Sequence, residues 1–236
     1  MRPKLGSTLS LKDLFDRQAD PARQVREITP NPHLLELFQQ ALLTATAPPD
    51  RAECTRLIGR WALNAPTVTE EERRSVIAER LPSHTWPNSL LLIVAVDTDT
   101  GEPRIFDRFS GINLVDAVGA SCAVPGIWPP VTINGRRYMD GGARSSDNAD
   151  LAKGYLRTVI VCPMGTTLRE MDGGNLIEQI EILESAGGKT YMVEPDEASK
   201  SAIGSNPLSP ETRIPAAEAG RSQGHAIAQD IALFLD

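Results

Sequence analysis

One stretch limits the possible folds more than any other: the unbroken apolar run Leu90-Leu91-Leu92-Ile93-Val94-Ala95-Val96. A strand with one wet face alternates apolar and polar side chains. A run of strand length without alternation predicts a strand covered on both faces, as in an α/β sheet. Thr158-Val159-Ile160-Val161-Cys162 is a second run of this kind. Between the two, residues 97–102 read as a turn, Arg104-Ile105-Phe106 as a returning strand, and 112–120 as a helix. Asn134-Gly135 separates two further short strands. That dipeptide predicts a hairpin, because both turn residues must take left-handed backbone angles.

Ahead of these strands the chain reads as helices. Ser10 is placed to cap Leu11-Lys12-Asp13-Leu14-Phe15, and Asn31-Pro32 to open a second helix with Leu34, Leu35, Phe38 and Leu42 on one stripe. Asp50 begins a third, with Leu57, Ile58 and Trp61 on one face. Thr69 and Glu72 form a capping box ahead of Val76, Ile77 and Leu81. The charge run Glu70-Glu71-Glu72-Arg73-Arg74 reads as the solvated start of that helix. Downstream, 176–186 is an amphipathic helix stopped by Gly187-Gly188, 191–193 a short strand, and 210–235 mostly helix. The expectation is one α/β domain over 1–236, mainly helical in 1–86 and sheet-forming in 87–236. A three-layer arrangement with a mostly parallel central sheet flanked by helices fits this order.

Composition narrows the function classes. The chain has 236 residues, 41 % of them hydrophobic and 23 % charged, which reads as globular and soluble. A net charge of −7 argues against nucleic-acid binding, and no apolar run is long enough to span a bilayer. Three scattered cysteines (Cys54, Cys122, Cys162) and three scattered histidines (His33, His84, His225) predict neither a disulfide framework nor a metal site. They fit a reducing, cytoplasmic setting. Cys122 and Cys162 are expected to be inert core thiols, and the histidines to serve at surfaces or caps.

Chemistry concentrates in 120–148, where the predicted hairpin feeds directly into Asp140-Gly141-Gly142. A carboxylate at a strand end, followed by two glycines, sits on a tight turn that lets other groups come close. Partial desolvation there raises a carboxyl pKa and makes a usable base. The plainer reading is a turn aspartate that caps its own backbone. A second Asp-Gly-Gly, at Asp172-Gly173-Gly174, precedes a helix and reads as a loop and N-cap.

Read in order, Ala120-Ser121-Cys122-Ala123-Val124-Pro125, Trp128-Pro129-Pro130-Val131, Gly135-Arg136-Arg137-Tyr138-Met139-Asp140-Gly141-Gly142 and the later Asn148 resemble the patatin-like phospholipase family. The resemblance implies a serine acyl hydrolase acting on carboxylic esters of lipids by a Ser–Asp dyad, without histidine, metal or organic cofactor. It makes Asp140 the general base and Gly141 and Gly142 its turn, and puts Ser121 and Pro125 at the substrate pocket; Trp128, beside Pro129-Pro130, reads either as lining an acyl pocket or, at least equally, as simple packing. The partner implied is a lipid or other ester, met at the surface of a membrane without an anchor.

The family's nucleophile lies in a G-x-S-x-G elbow between a strand and a helix, with a glycine-rich oxyanion loop before it. The chain is read as having no G-x-S-x-G and no glycine-rich oxyanion loop, both of which the family places before the region matching Met1. Gly6-Ser7-Thr8-Leu9-Ser10 follows no strand, and Gly119-Ala120-Ser121-Cys122-Ala123 follows helical spacing, so Ser121 is read as lining the site. The expectation is a chain that lacks its nucleophile, and with it N-terminal strands amounting to about 40–60 residues. Such a chain is inactive alone. The other reading is a non-catalytic remnant or lipid-binding pseudoenzyme.

Overall fold

Local signals explain most of the elements in the computed structural model, which describes residues 11–20, 51–164 and 176–236. Helix α1 is Leu11–Ala19, α2 Arg51–Asn64 and α3 Glu70–Arg80. The N-cap of α3 forms as read: Thr69 Oγ1 accepts from the Glu72 N–H at 3.2 Å. The helix read from Asn31-Pro32, His33 and the second Asp-Gly-Gly all lie outside the described residues.

Strand β1 (Ile93–Asp97) is buried along its whole length. It pairs on one side with β2 (Pro103–Phe106) and on the other with β4 (Arg136–Asp140), which pairs in turn with β3 (Val131–Ile133). Asn134 and Gly135 both have positive φ, 51° and 78°, so the β3–β4 hairpin turns as its dipeptide requires. This four-stranded sheet has the order β2-β1-β4-β3 and is antiparallel throughout. Parallel pairing among the described residues is that of β5 (Arg157–Val161) with β6 (Lys189–Val193), in a second sheet. The mostly parallel sheet expected from the apolar runs is therefore not the order these strands take. Short turns join β1 to β2 and β3 to β4, and short turns force antiparallel neighbours.

Two-sided burial holds for β1. Helix α4 (Leu114–Ser121) lays Leu114, Ala117 and Ala120 against Ile93, Ala95, Phe106 and Tyr138 on one face. On the other face Ile58 of α2 meets Val96 and Met139. Asn113 caps α4, its Oδ1 accepting from the Val115 N–H at 2.8 Å. The apolar run itself is only half absorbed. Leu90 is 62 % exposed and Leu91 and Leu92 are exposed too, because β2 ends with Phe106 opposite Ile93 and the run continues past its partner. Strand β5 also departs from expectation, with Val161 66 % exposed.

Helix α5 (Leu176–Ser185) packs Leu176 and Leu183 on Ile160 and Cys162, which completes the β5–β6 unit. Helix α6 (Glu197–Ile203) and the long α7 (Arg213–Leu235) follow. Gln223 of α7 fastens them, accepting from Ser199 Oγ at 3.0 Å and donating to the Glu194 carbonyl. No helix among the described residues is long and apolar enough to cross a membrane.

Candidate active site

Asp140 ends β4, its backbone opposite Ala95 of the buried central strand. Its own N–H donates to the Ala123 carbonyl at 3.0 Å. The segment after α4 thus lies alongside the strand end and fixes it. One carboxylate oxygen, Oδ1, accepts from the Gly142 N–H at 2.7 Å. The capping role and the exposed role coexist: Asp140 caps its turn and also lines a groove. Gly141 is required by a close approach, since a Cβ there would lie 2.5 Å from the Val94 carbonyl oxygen.

The groove has a volume of about 950 Å³. Asp140, Gly141, Gly142 and Ser121 line it, together with apolar residues that include Leu90, ahead of β1, and Val161 of β5. Ser121 closes α4 and therefore sits on the groove without the strand–turn–helix geometry of an elbow. Pro125 and Trp128 are buried and do not line this groove. Trp128 packs with Ile127, Val68, Val124 and Leu208, and faces a separate cavity.

Cys122 corrects the core-thiol expectation. It is exposed on the groove wall, whereas Cys162 is buried with Ile160 and Leu183. Protein atoms nevertheless crowd the Cys122 thiol and raise its pKa, the Asp140 carboxylate raises it further, and Arg73 and Arg80 oppose both. One thiol thus senses the aspartate and two arginines together. His84 meets the Ala78 carbonyl at 2.8 Å and His225 is exposed, away from Asp140's turn. No group of three His, Cys, Asp or Glu side chains among the described residues gathers as a metal site.

A partly buried network holds the loop after Asp140. Asn148, at φ 50°, donates from Nδ2 to the Ser145 carbonyl at 2.8 Å and accepts from Arg144 at Oδ1. Arg144 also grips both Asp150 carboxylate oxygens. Gln179, reaching in from α5, donates to Ser145 Oγ at 2.7 Å and accepts from the Ala149 N–H at 2.8 Å. Sequence spacing alone carries no sign of Gln179, because its partners lie some thirty residues away.

The sequence does contain one G-x-S-x-G string, Gly220-Arg221-Ser222-Gln223-Gly224. It lies within helix α7, with no strand before it, and Ser222 is exposed on that helix. An elbow needs a sharp turn out of a strand, which a helix interior does not provide.

Compared with known families, residues 10–153 match patatin-like phospholipase, over half of the chain. The match runs from α1 through Asp140 to the loop that Gln179 holds, and the chain belongs to the patatin-like phospholipase family. The family is one of lipid acyl hydrolases, so a lipid is the substrate class that membership implies. No curated protein matches the sequence.

Proposed function

We propose that Asp140 is the general base of a Ser–Asp dyad for hydrolysis of carboxylic ester bonds in lipids. The observation that supports this is a fixed carboxylate on the wall of an apolar groove, next to the turn of Gly141 and Gly142. In the reaction a serine oxygen attacks the acyl carbonyl while Asp140 takes its proton. The alcohol leaves, and water then releases the acyl group from the serine. The acyl chain lies along Leu90, Val161 and their neighbours. No serine among the described residues stands on an elbow; on this reading the nucleophile is not among residues 1–236, and the chain by itself does not turn over esters.

Fluorophosphonate labelling tests the absent nucleophile. Folded protein of residues 1–236 is expected to take up no label and to release no fatty acid from a phospholipid. Stoichiometric labelling that disappears in Ser121→Ala places the nucleophile on α4 and overturns this part of the proposal. Labelling that disappears in Ser222→Ala overturns it in favour of α7. Absence of label together with saturable binding of a long-chain fatty acid in the groove favours the lipid-binding pseudoenzyme.

A further inference from the structure

A cavity of about 400 Å³ lies at the hairpin end of the four-stranded sheet, and its lining shares no residue with the groove of Asp140. Strand register explains what faces it. Antiparallel partners point to the same side, and so does every second residue along a strand. Ala95 lies opposite Arg104, Asp97 opposite Tyr138, and Ile133 opposite Arg136. These side chains therefore share one face with Phe106, the face that α4 covers. Helix α4 starts only at Leu114, with Ile112 ahead of it on the cavity wall, so the face beyond stays uncovered.

Phe106, Ile112 and Ile133 give the cavity an apolar floor. Three donors stand around it with hydrogen bonds left to make. Tyr138 is only 7 % exposed, its ring edge-on to Phe106 at 5.6 Å between centres. Its hydroxyl has no hydrogen-bond partner among the described residues, yet stays open to solvent. A buried tyrosine ordinarily finds one. Arg104 lies over the Phe106 ring at 5.5 Å, and no carboxylate among the described residues comes within ion-pair distance of it. Asp107 feels its charge but is held by Ser110 Oγ and the Phe109 N–H. Arg136 gives its Nε to one oxygen of Asp97, whose other oxygen accepts from the Asp99 and Thr100 N–H groups. The two Nη groups of Arg136 have no such partner among the described residues. Glu102 is the other carboxylate of the lining, at the exposed rim.

We propose that this cavity binds a small organic monocarboxylate with an apolar body, its carboxylate held by Arg104, Arg136 and the Tyr138 hydroxyl. A guanidinium offers paired, charge-assisted donors that match the two oxygens of a carboxylate. Attraction to the Phe106 ring orders Arg104 ahead of binding. Charge decides against phosphate. Asp97 and Glu102 already offset the two arginines, so one negative charge on the ligand is accommodated and two meet repulsion. The apolar floor takes the body of the acid, in a volume typical of small-molecule sites. The site does not rest on the reading of Asp140.

Calorimetric titration of the whole chain with hexanoate tests it, with hexanol, aminohexanoate and inorganic phosphate as controls. Saturable binding of hexanoate is expected, tighter than that of any control. Arg104→Gln, at an exposed position of β2, is expected to weaken it about tenfold, or about 1.4 kcal/mol. Tyr138→Phe keeps the ring and loses only the hydroxyl, and is expected to weaken it about threefold. Unchanged circular dichroism shows that the variants are folded, and Arg104→Gln decides alone where Tyr138→Phe is not. Folded wild-type protein that binds no hexanoate overturns the proposal. So does a control that binds as tightly: hexanol makes the site merely apolar, aminohexanoate a site for zwitterions, and phosphate a general anion site. Hexanoate binding that folded Arg104→Gln leaves unaltered places the ligand elsewhere, the apolar groove included, and overturns the proposal as well. No turnover enters the titration, so its failure leaves the reading of Asp140 intact, and the labelling experiment leaves the carboxylate site intact.

Discussion

A side chain at position 141 has nowhere to go. The Val94 carbonyl oxygen would stand 2.5 Å from its Cβ, and that oxygen belongs to the backbone of a fully buried strand. Gly141→Ala must therefore push the turn away from β1, at a cost of about 1–3 kcal/mol, the usual range for overpacking. The expected result is a lower denaturant midpoint with an unchanged slope; an unchanged midpoint would show that the turn gives way freely. Here sequence reading and structure agree, because a strand end followed by two glycines already calls for a close approach. Arginine 73 shows the opposite. In the run 70–74 it looked like part of a wet helix start, yet it is buried over Trp128, while Arg74 pairs with Asp116 at the surface. Glu70 is not simply solvated either: its carboxylate accepts from the Thr132 hydroxyl at 2.9 Å on the edge strand β3. Charge runs disclose their composition but not which members meet another element.

Among the elements, those decided within a few residues were legible. Asn134-Gly135, the Thr69 cap and the glycine stop after α5 all form where their local chemistry placed them. The pairing of strands was not legible, since two-sided burial arises equally in β1, which is antiparallel to both neighbours. Contacts between elements were equally hidden, and Gln179 is the clearest case. It joins α5 to the loop after Asp140 through Ser145 Oγ and the Ala149 N–H. Gln179→Leu leaves both groups buried without that partner, at about 1–3 kcal/mol for each. A fall in Tm of several degrees is expected from thermal melts. An unaltered Tm would mean that α5 is held to the loop by its apolar contacts alone.

At the scale of the whole molecule, burial is unevenly shared. Strand β1 is covered on both faces by α4 and α2, while β5 and β6 keep only Ile160 fully buried among their residues. Opening free energy follows buried apolar contact, so native-state hydrogen exchange is expected to show two levels. Amides of β1 and β4 should exchange only on global unfolding, and those of β5 and β6 sooner; equal protection in both sheets would count against this. The same unevenness bears on Asp140, which belongs to the well-covered sheet although it faces the groove. Its backbone is fixed by Ala95 and Ala123 and its carboxylate by the Gly142 N–H. The conformational entropy of that side chain is surrendered when the chain folds, not when a substrate arrives. If Asp140 is the base proposed above, a reacting group brought to the groove meets a carboxylate that has no search of its own left to make.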